Sequence, residues 1–386
     1  MRRGLSRAAI LIAVLALLLS YLYPFLRTSF LSLLVIGDLV RPGRSDLLGK
    51  VTQEPNVDRV RFPGGGREME ADLYKPGDRR RHAGVVLIHG VNEEGKNDPR
   101  MVWAARIFAR AGFAALVPDF SGFKSQRLRL SDIGEIVDSF LYLASQEATV
   151  FPDKIGLIGF SYGAGPTLIA AADPRINGKV RFAVSFGGYY DLGNLIKFIT
   201  TGYYDFKGEK FYLKPNDYDR WIFLRYNLDL LEDDGDKRLL AQITEAKAQE
   251  GREVSNLVKG LSPEGRAVYE LLINRDPERV PTLLQGLNPR LQSYIAALSP
   301  GQVMRNVKAY LFIVHGEPDN FIPHTESLRL YEAVADKSRV HLGLLRIFSH
   351  VRPTLPRATP GNIFRIYIPE VAKFYSLIFD FLRQQR

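Results

Sequence analysis

The chain has 386 residues, 46 % hydrophobic and 24 % charged, which is enough apolar content for a large core and excludes disorder throughout. A formal charge of +10 favours an anionic neighbour such as a lipid surface; the basic residues are scattered without a nucleic-acid motif, so nucleic acid is not an expected partner. The absence of cysteine excludes disulfides, thiolate metal sites and a cysteine nucleophile, and leaves the redox compartment open.

Arg2, Arg3 and Arg7 precede an uncharged apolar run from Ala8 to Leu26. At ~1.5 Å per residue this run nearly crosses a ~30 Å hydrocarbon layer, and Tyr21 and Tyr23 sit near its far end, where amphipathic rings favour the interface. A second apolar stretch, Phe30 to Ile36, is too short to cross again. A cleaved secretory signal needs small residues after the apolar centre, whereas Leu18, Leu19, Tyr21 and Tyr23 stand there, which favours a retained single-pass anchor. The basic start argues for an inside N-terminus and an external, periplasmic or extracellular, domain; Arg27, Arg41 and Arg44 on the other side weaken that argument. Residues 1–50 therefore read as anchor and linker, with membrane lipid as the partner.

From Val57 strands and helices alternate. Val60 and Phe62, a Gly64–Gly66 turn, and Met69, Ala71 and Leu73 predict a hairpin with one buried face. Val85–Ile88 is a run short enough for a strand buried on both faces. A helix is predicted from Pro99 to Arg110, with Pro in its first turn and Gly112 past its end. Strands at Phe113–Val117, Ile155–Ile158 and Val180–Val184 alternate with helices at Ile133–Leu143 and from Ala164 onward, which implies a parallel sheet covered on both sides. The rhythm breaks from Leu192 to Met304, where helical patterns (Leu239–Ala248, Gly265–Ile273, Pro281–Leu287) occur without a convincing buried strand. It returns with strands at Tyr310–Val314 and Val340–Ile347 and a closing helix, Pro369–Arg383, striped by Val371, Phe374, Tyr375, Ile378 and Phe379. The expected division is a core of 51–191 and 305–386, interrupted by a helical cap insertion, 192–304.

Active residues of an open parallel sheet gather at the carboxyl ends of its strands. Gly159-Phe160-Ser161-Tyr162-Gly163 matches G-x-S-x-G between a strand and a helix. The turn is so tight that bulky neighbours would collide, and the serine projects at the head of the next helix, whose N–H groups favour developing negative charge. His89-Gly90-Val91-Asn92 follows another strand; a backbone N–H there, that of Val91 first, pairs with that of Tyr162 as an oxyanion hole, the alternative being a plain glycine turn. A serine hydroxyl needs an imidazole base, and the imidazole a carboxylate. Asp319, in His315-Gly316-Glu317-Pro318-Asp319, and His350, after the last strand, complete the chain order Ser161, Asp319, His350. Glu317 and Asp191 compete as the acid; His89, His324 and His341 read as structural, and His82 as solvated. Tyr189 and Tyr190 are candidates for the pocket mouth or for cap packing. Asp119 reads as a loop-ordering carboxylate, and Asp233, Asp234 and Asp236, lacking regular ligand spacing, as a solvated turn and not a cation site.

At these residues the sequence resembles the α/β-hydrolase superfamily, particularly its dienelactone-hydrolase-like and esterase-like groups. The matching segments are Val85–Gly90, Pro118-Asp119-Phe120, Asp153–Gly163 and Val314–Pro323, with His350 closing the set. The resemblance implies an α/β fold with a mostly parallel eight-stranded sheet, a Ser161–His350–Asp319 triad acting through an acyl-enzyme, and no cofactor or metal. Dienelactone hydrolases proper use a cysteine nucleophile, so their substrate does not transfer, and the insertion matches no assignable cap. The expected activity is a membrane-anchored serine hydrolase cleaving a carboxylic ester or thioester of a small-molecule acyl substrate. An acyltransferase or peptidase on the same triad, or a non-catalytic membrane-anchored binding protein, are the alternatives.

Overall fold

The computed structural model describes residues 2–215, 220–221, 224–225, 227–248, 253–317 and 319–386; of residues 2–10, 13–19 and 248 it describes the backbone alone. Eight strands form the main sheet: β1 (Asn56–Gly64), β2 (Arg67–Lys75), β3 (His82–Ile88), β4 (Phe113–Pro118), β5 (Val150–Phe160), β6 (Val180–Phe186), β9 (Tyr310–Gly316) and β10 (Val340–Leu345). Between β6 and β9 lies a separate hairpin of β7 (Tyr203–Phe206) and β8 (Glu209–Tyr212). The main sheet runs β1-β2-β4-β3-β5-β6-β9-β10; β1–β2 and β2–β4 pair antiparallel and every other neighbour is parallel.

The alternation of side chains along a strand divides the interior in two. Val86 and Ile88 of β3 enter one core, under the helices Leu130–Ser145 and Ala164–Ala171; Val85 and Leu87 enter the other. Helix Pro99–Arg110 covers the second face with the termini its sequence signals: Asp98 Oδ1 accepts from Arg100 N (2.8 Å), Pro99 opens the helix, and Gly112 takes φ +103° just beyond it.

The N-terminal segment differs from expectation. Arg2–Leu39 is one continuous helix of 38 residues, so Phe30–Ile36 is not a separate stretch. Its second half is a core helix: Leu31, Val35 and Ile36 are buried with the second core, and Phe25 meets Phe379 of the closing helix edge-on at 5.3 Å. Asp38 secures the following turn, its carboxylate accepting from Ser45 Oγ (2.8 Å), Leu47 N (2.8 Å) and Leu48 N (2.9 Å). By length and composition Ser20–Leu39 is able to cross a membrane, yet 33 % of that window is buried against the domain. Packing therefore begins near Pro24, well before residue 50.

The closing helix is Ile368–Arg383, with Phe374, Leu377, Ile378, Phe381 and Leu382 buried. Of the expected stripe Phe374 and Ile378 are buried and Tyr375 packs against the second core, stacked on Phe379 beside the N-terminal helix, whereas Val371 is exposed. The insertion carries six helices among its described residues, around a small core of its own that includes Leu240, Ile243, Leu271 and Val280. Its β7–β8 hairpin, half-buried at most, escapes a search for buried apolar runs.

Removing residues 1–23 is expected to leave the domain folded. Removal through Lys50 strips Val35, Ile36 and Leu48 from the core, at about 1.5–3 kcal/mol for each buried side chain. Thermal unfolding of the two truncations by circular dichroism checks this: the first retains the transition, and the second loses it or shifts it strongly downward.

Candidate active site

β5 ends in the turn Phe160-Ser161-Tyr162, and Ser161 sits at φ +55°, a left-handed conformation that costs a non-glycine residue about 1–2 kcal/mol. The flanking glycines follow from contact distances. A Cβ on Gly159 would lie 2.4 Å from Thr167 Oγ1 and 2.6 Å from Ala164 Cα; one on Gly163 would lie 2.4 Å from His89 O. At Gly159 and Gly163 strand, loop and helix pass too close around Ser161 to admit a side chain.

His350 stands between two short strands, Phe348–Ser349 and Arg352–Pro353, also with a positive φ, +54°. Its Nε2 lies 2.6 Å from Ser161 Oγ and its Nδ1 2.7 Å from Asp319 Oδ2. A carboxylate only accepts, so Nδ1–H donates to Asp319 and Nε2 is left to accept the serine proton. Three residues separated by up to 189 positions thus meet in one hydrogen-bonded line.

Asp319 is buried and saturated with donors. Oδ1 accepts from the N–H groups of Phe321 (2.8 Å) and Ile322 (3.0 Å), and Oδ2 accepts from His350 and from His315 Nε2 (3.1 Å). Burial pushes this carboxyl up, but the bonds from His315 and His350 outweigh it and hold Asp319 well below the usual carboxylate range. His315 is the partner that sequence reading left unassigned. Its Nε2 faces two acceptors, Asp319 Oδ2 and Ile322 O (2.9 Å), and therefore carries a proton; Nδ1 lies 2.7 Å from Ser327 Oγ. The signal was present in the spacing, His315 and Asp319 flanking one turn at the end of β9.

The loop after β3 closes on the serine: a Cβ on Gly90 would lie 3.2 Å from Ser161 Cβ and 3.7 Å from its Oγ. Asn92 orders this loop, its Nδ2 donating to Gly90 O (3.2 Å) and its Oδ1 accepting from Gly95 N (2.8 Å). Val91 and Tyr162 line the same cavity as Ser161 and His350. His89 is buried and structural: Nδ1 donates to Gly90 O (2.7 Å), Nε2 accepts from Phe120 N (3.4 Å), and burial lowers its basicity.

Other candidates are placed elsewhere. Tyr189 is fully buried and donates its hydroxyl to Leu298 O (3.0 Å); Tyr190 packs against Gly301, and its N–H donates to the buried Glu326 (3.0 Å), whose carboxyl burial pushes up to about 7. Neither lines the cavity, because the chain turns away from it at Gly187 and Gly188 to begin the insertion. Asp191 caps helix Leu192–Thr201 through Asn194 N (2.9 Å), and Asp319, not Glu317, meets His350. Asp119 orders its loop by accepting from Lys96 N (2.8 Å) and Lys124 Nζ (3.0 Å). His324 opens helix His324–Ala333, and His341 pairs with Asp380 at 3.0 Å.

Two residues read as solvated are not. His82 bonds Asp78 at 2.7 Å where β3 enters the sheet, and Asp236 is buried, accepting from Ser262 N (2.9 Å) and Gly265 N (2.7 Å) to join two insertion helices. Among the described residues no group of His, Asp and Glu is arranged to hold a metal.

The cavity over Ser161 measures about 850 Å³ and is largely apolar, with Met101, Trp103, Phe186, Phe321 and Phe348 among its walls. Leu39 and Pro42 belong to it as well, which sequence reading missed. The available signal was Asp38, an acidic residue at the end of an apolar helix, where lipid-facing sequence would not place one.

Replacing Asp319 with Asn should preserve the fold but remove the acceptor that fixes the His350 tautomer. The rate at which a fluorophosphonate labels Ser161 is then expected to fall about 10³–10⁴-fold, measured by mass spectrometry of the modified serine.

No protein-family model matches the chain. Two curated Mycobacterium tuberculosis proteins, from strains CDC 1551 / Oshkosh and ATCC 25618 / H37Rv and each described as "Putative phosphoribosyl transferase", are 38 % identical over 114 residues, 28 % of this chain and 25 % of theirs. The match thus spans about a quarter of those relatives. Among solved structures, an acylaminoacyl peptidase of Pyrococcus horikoshii is similar over 88 % of this chain and 44 % of its own, with 16 % identity and a TM-score of 0.50. An acylaminoacyl peptidase in complex with Z-Gly-Gly-Phe-chloromethyl ketone covers the same shares at 16 % identity, with a TM-score of 0.52. At such identity the likeness is one of fold, and it agrees with the sheet order and the strained serine turn: this chain has the α/β-hydrolase fold.

Proposed function

We propose that the chain is a membrane-anchored serine hydrolase that cleaves a carboxylic ester or thioester through an acyl-enzyme on Ser161. The observation that carries this reading is the imidazole of His350 bridging Ser161 Oγ (2.6 Å) and Asp319 Oδ2 (2.7 Å). In the first step His350 Nε2 takes the hydroxyl proton as Oγ attacks the acyl carbon, and Asp319 stabilises the imidazolium. The N–H groups of Val91 and Tyr162 receive the charge on the acyl oxygen. The imidazolium then protonates the leaving alcohol or thiol, and water activated by the same base releases the acid. No cofactor enters this sequence.

The apolar cavity favours an acyl group with hydrocarbon bulk over a peptide, whose amide groups would lose hydrogen bonds there. For the anchor, the helix ahead of Pro24 is about 33 Å long at ~1.5 Å per residue; its uncharged run, Ala8–Tyr23, accounts for about 24 Å, and arginines such as Arg2, Arg3 and Arg7 have side chains long enough to reach the interface beyond it. The later window is committed to the core through Leu31, Val35 and Ile36, so we assign the span to the part before Pro24. Arg2, Arg3 and Arg7 favour an inside N-terminus and an external catalytic domain.

Ser161→Ala should lower kcat on p-nitrophenyl esters by about 10³-fold or more, with unchanged circular dichroism. An unaltered rate would remove Ser161 from the mechanism, and a folded wild-type chain that no fluorophosphonate labels would favour a non-catalytic binder. Since Asp319 is held well below the usual carboxylate range, its own protonation adds no step to the acid limb above that range. Log kcat/KM should therefore fall with a slope of 1 as pH drops; a slope of 2 in a pH–rate profile would contradict this.

A further inference from the structure

The end of the N-terminal helix is a wall of the active-site cavity. Leu39 and Pro42 line it together with Trp103, whose Nε1 donates to Asp38 O (3.2 Å) and fixes the helix end against the Pro99–Arg110 helix. The segment after His350 forms another wall: Val351, Arg352, Pro353 and Thr354 line the cavity before the chain runs over the surface to Ile368. That surface segment has an unusual composition. Leu355, Ile363 and Ile368 are exposed and Phe364 is 71 % exposed. Arg352, Arg357 and Arg365 are exposed among them, and residues 351–368 contain no Asp or Glu.

The neighbouring helices extend the same character. The closing helix runs antiparallel to the N-terminal one: Arg386, near its end, bonds Pro24 O and Thr28 Oγ1, whereas Phe374, near its start, shares the cavity with Leu39. Beyond Pro24 the N-terminal helix buries Leu31 and Val35 but exposes Leu26, Phe30 and Leu33, spaced as one outward stripe. Val371 is exposed on the closing helix, and Phe25 and Phe379 join the two. Exposed apolar side chains flanked by arginines, without acids, suit an anionic bilayer surface. A second copy fits poorly, because a symmetric contact would bring these arginines against their own counterparts.

We propose that this face, formed by residues 351–368 and the outward sides of the two terminal helices, rests on the bilayer that receives the N-terminal helix. The cavity beside it then takes the acyl chain of an ester resident in that bilayer, which deepens, and rests on, the ester-hydrolase reading. Pro24 lies between the spanning part and the docked part; it has no N–H, so the helix ladder is one bond short there and the helix bends most easily at that point.

The test uses the full chain in nanodiscs of phosphatidylcholine and phosphatidylglycerol, with and without bromine on the acyl chains, and the variant Phe364→Trp. With the emission of the wild-type chain subtracted as background, the added tryptophan should emit to the blue and lose about half its intensity or more in brominated discs. Emission at the wavelength of water, unquenched, would show the domain standing clear of the lipid and overturn the proposal. So would shielding that ignores bromine and accompanies cross-linking between two copies. For the substrate, Phe364→Asp with Ile368→Asp should slow hydrolysis of a long-chain ester embedded in the discs about tenfold, the loss expected when apolar side chains leave the interface. It should leave a soluble short-chain ester unaffected; equal loss on both esters would overturn the bilayer substrate. Quenching in a wild-type background that turns over neither ester would defeat the hydrolase reading and uphold the surface.

Discussion

A buried carboxylate organises this protein's site. Asp319 accepts four hydrogen bonds, two from backbone N–H groups of its own loop and two from imidazoles. Each donor orders a different piece of chain. The backbone pair folds the loop after β9 into a tight turn. His315 ties that turn to the strand and, through Ser327, to the helix His324–Ala333. His350 ties it to the serine at the end of β5. A charge removed from water is tolerable only when its lone pairs are occupied, so one carboxylate links the site to these three elements.

The backbone is strained at both ends of the proton path. Ser161 and His350 hold positive φ without being glycines, and both conformations are maintained by surrounding contacts. At Ser161 the contacts are the close passage of Gly159 and Gly163 against Thr167 and His89. At His350 they are the short hairpin, whose register pairs Ser349 with Arg352, and the ring of Phe321, 5.1 Å away. Preorganisation of this kind keeps the hydroxyl and the imidazole in reacting geometry before any ligand arrives.

Over its second half the N-terminal helix is part of the domain. Ser20–Leu39 is long and apolar enough to cross a membrane, yet its Leu31, Val35 and Ile36 belong to the second core and its end lines the cavity. The protein is therefore not a catalytic domain hung on a loose tether. Whatever fixes the orientation of that helix also fixes where the cavity opens, which is why the proposed substrate class follows from the anchor as much as from the triad.

By itself the sequence determined the fold class, the alternation of strands and helices along the chain, the serine turn and the candidates Asp319 and His350, because each leaves a local mark. Buried strands read as short apolar runs, Gly159 and Gly163 flank Ser161 at fixed offsets, and Asp319 and His350 follow strand ends. Tertiary structure alone decided what depends on distant packing. His315 became a partner of Asp319 only where β9 and the helix His324–Ala333 meet. Tyr189 and Tyr190, adjacent to the sheet in sequence, were taken by the insertion, and no local pattern foretold which way that chain would turn. An apolar helix reads the same whether lipid or protein covers it, so only the fold distinguished the half of the N-terminal helix that packs on the domain from the half that precedes it.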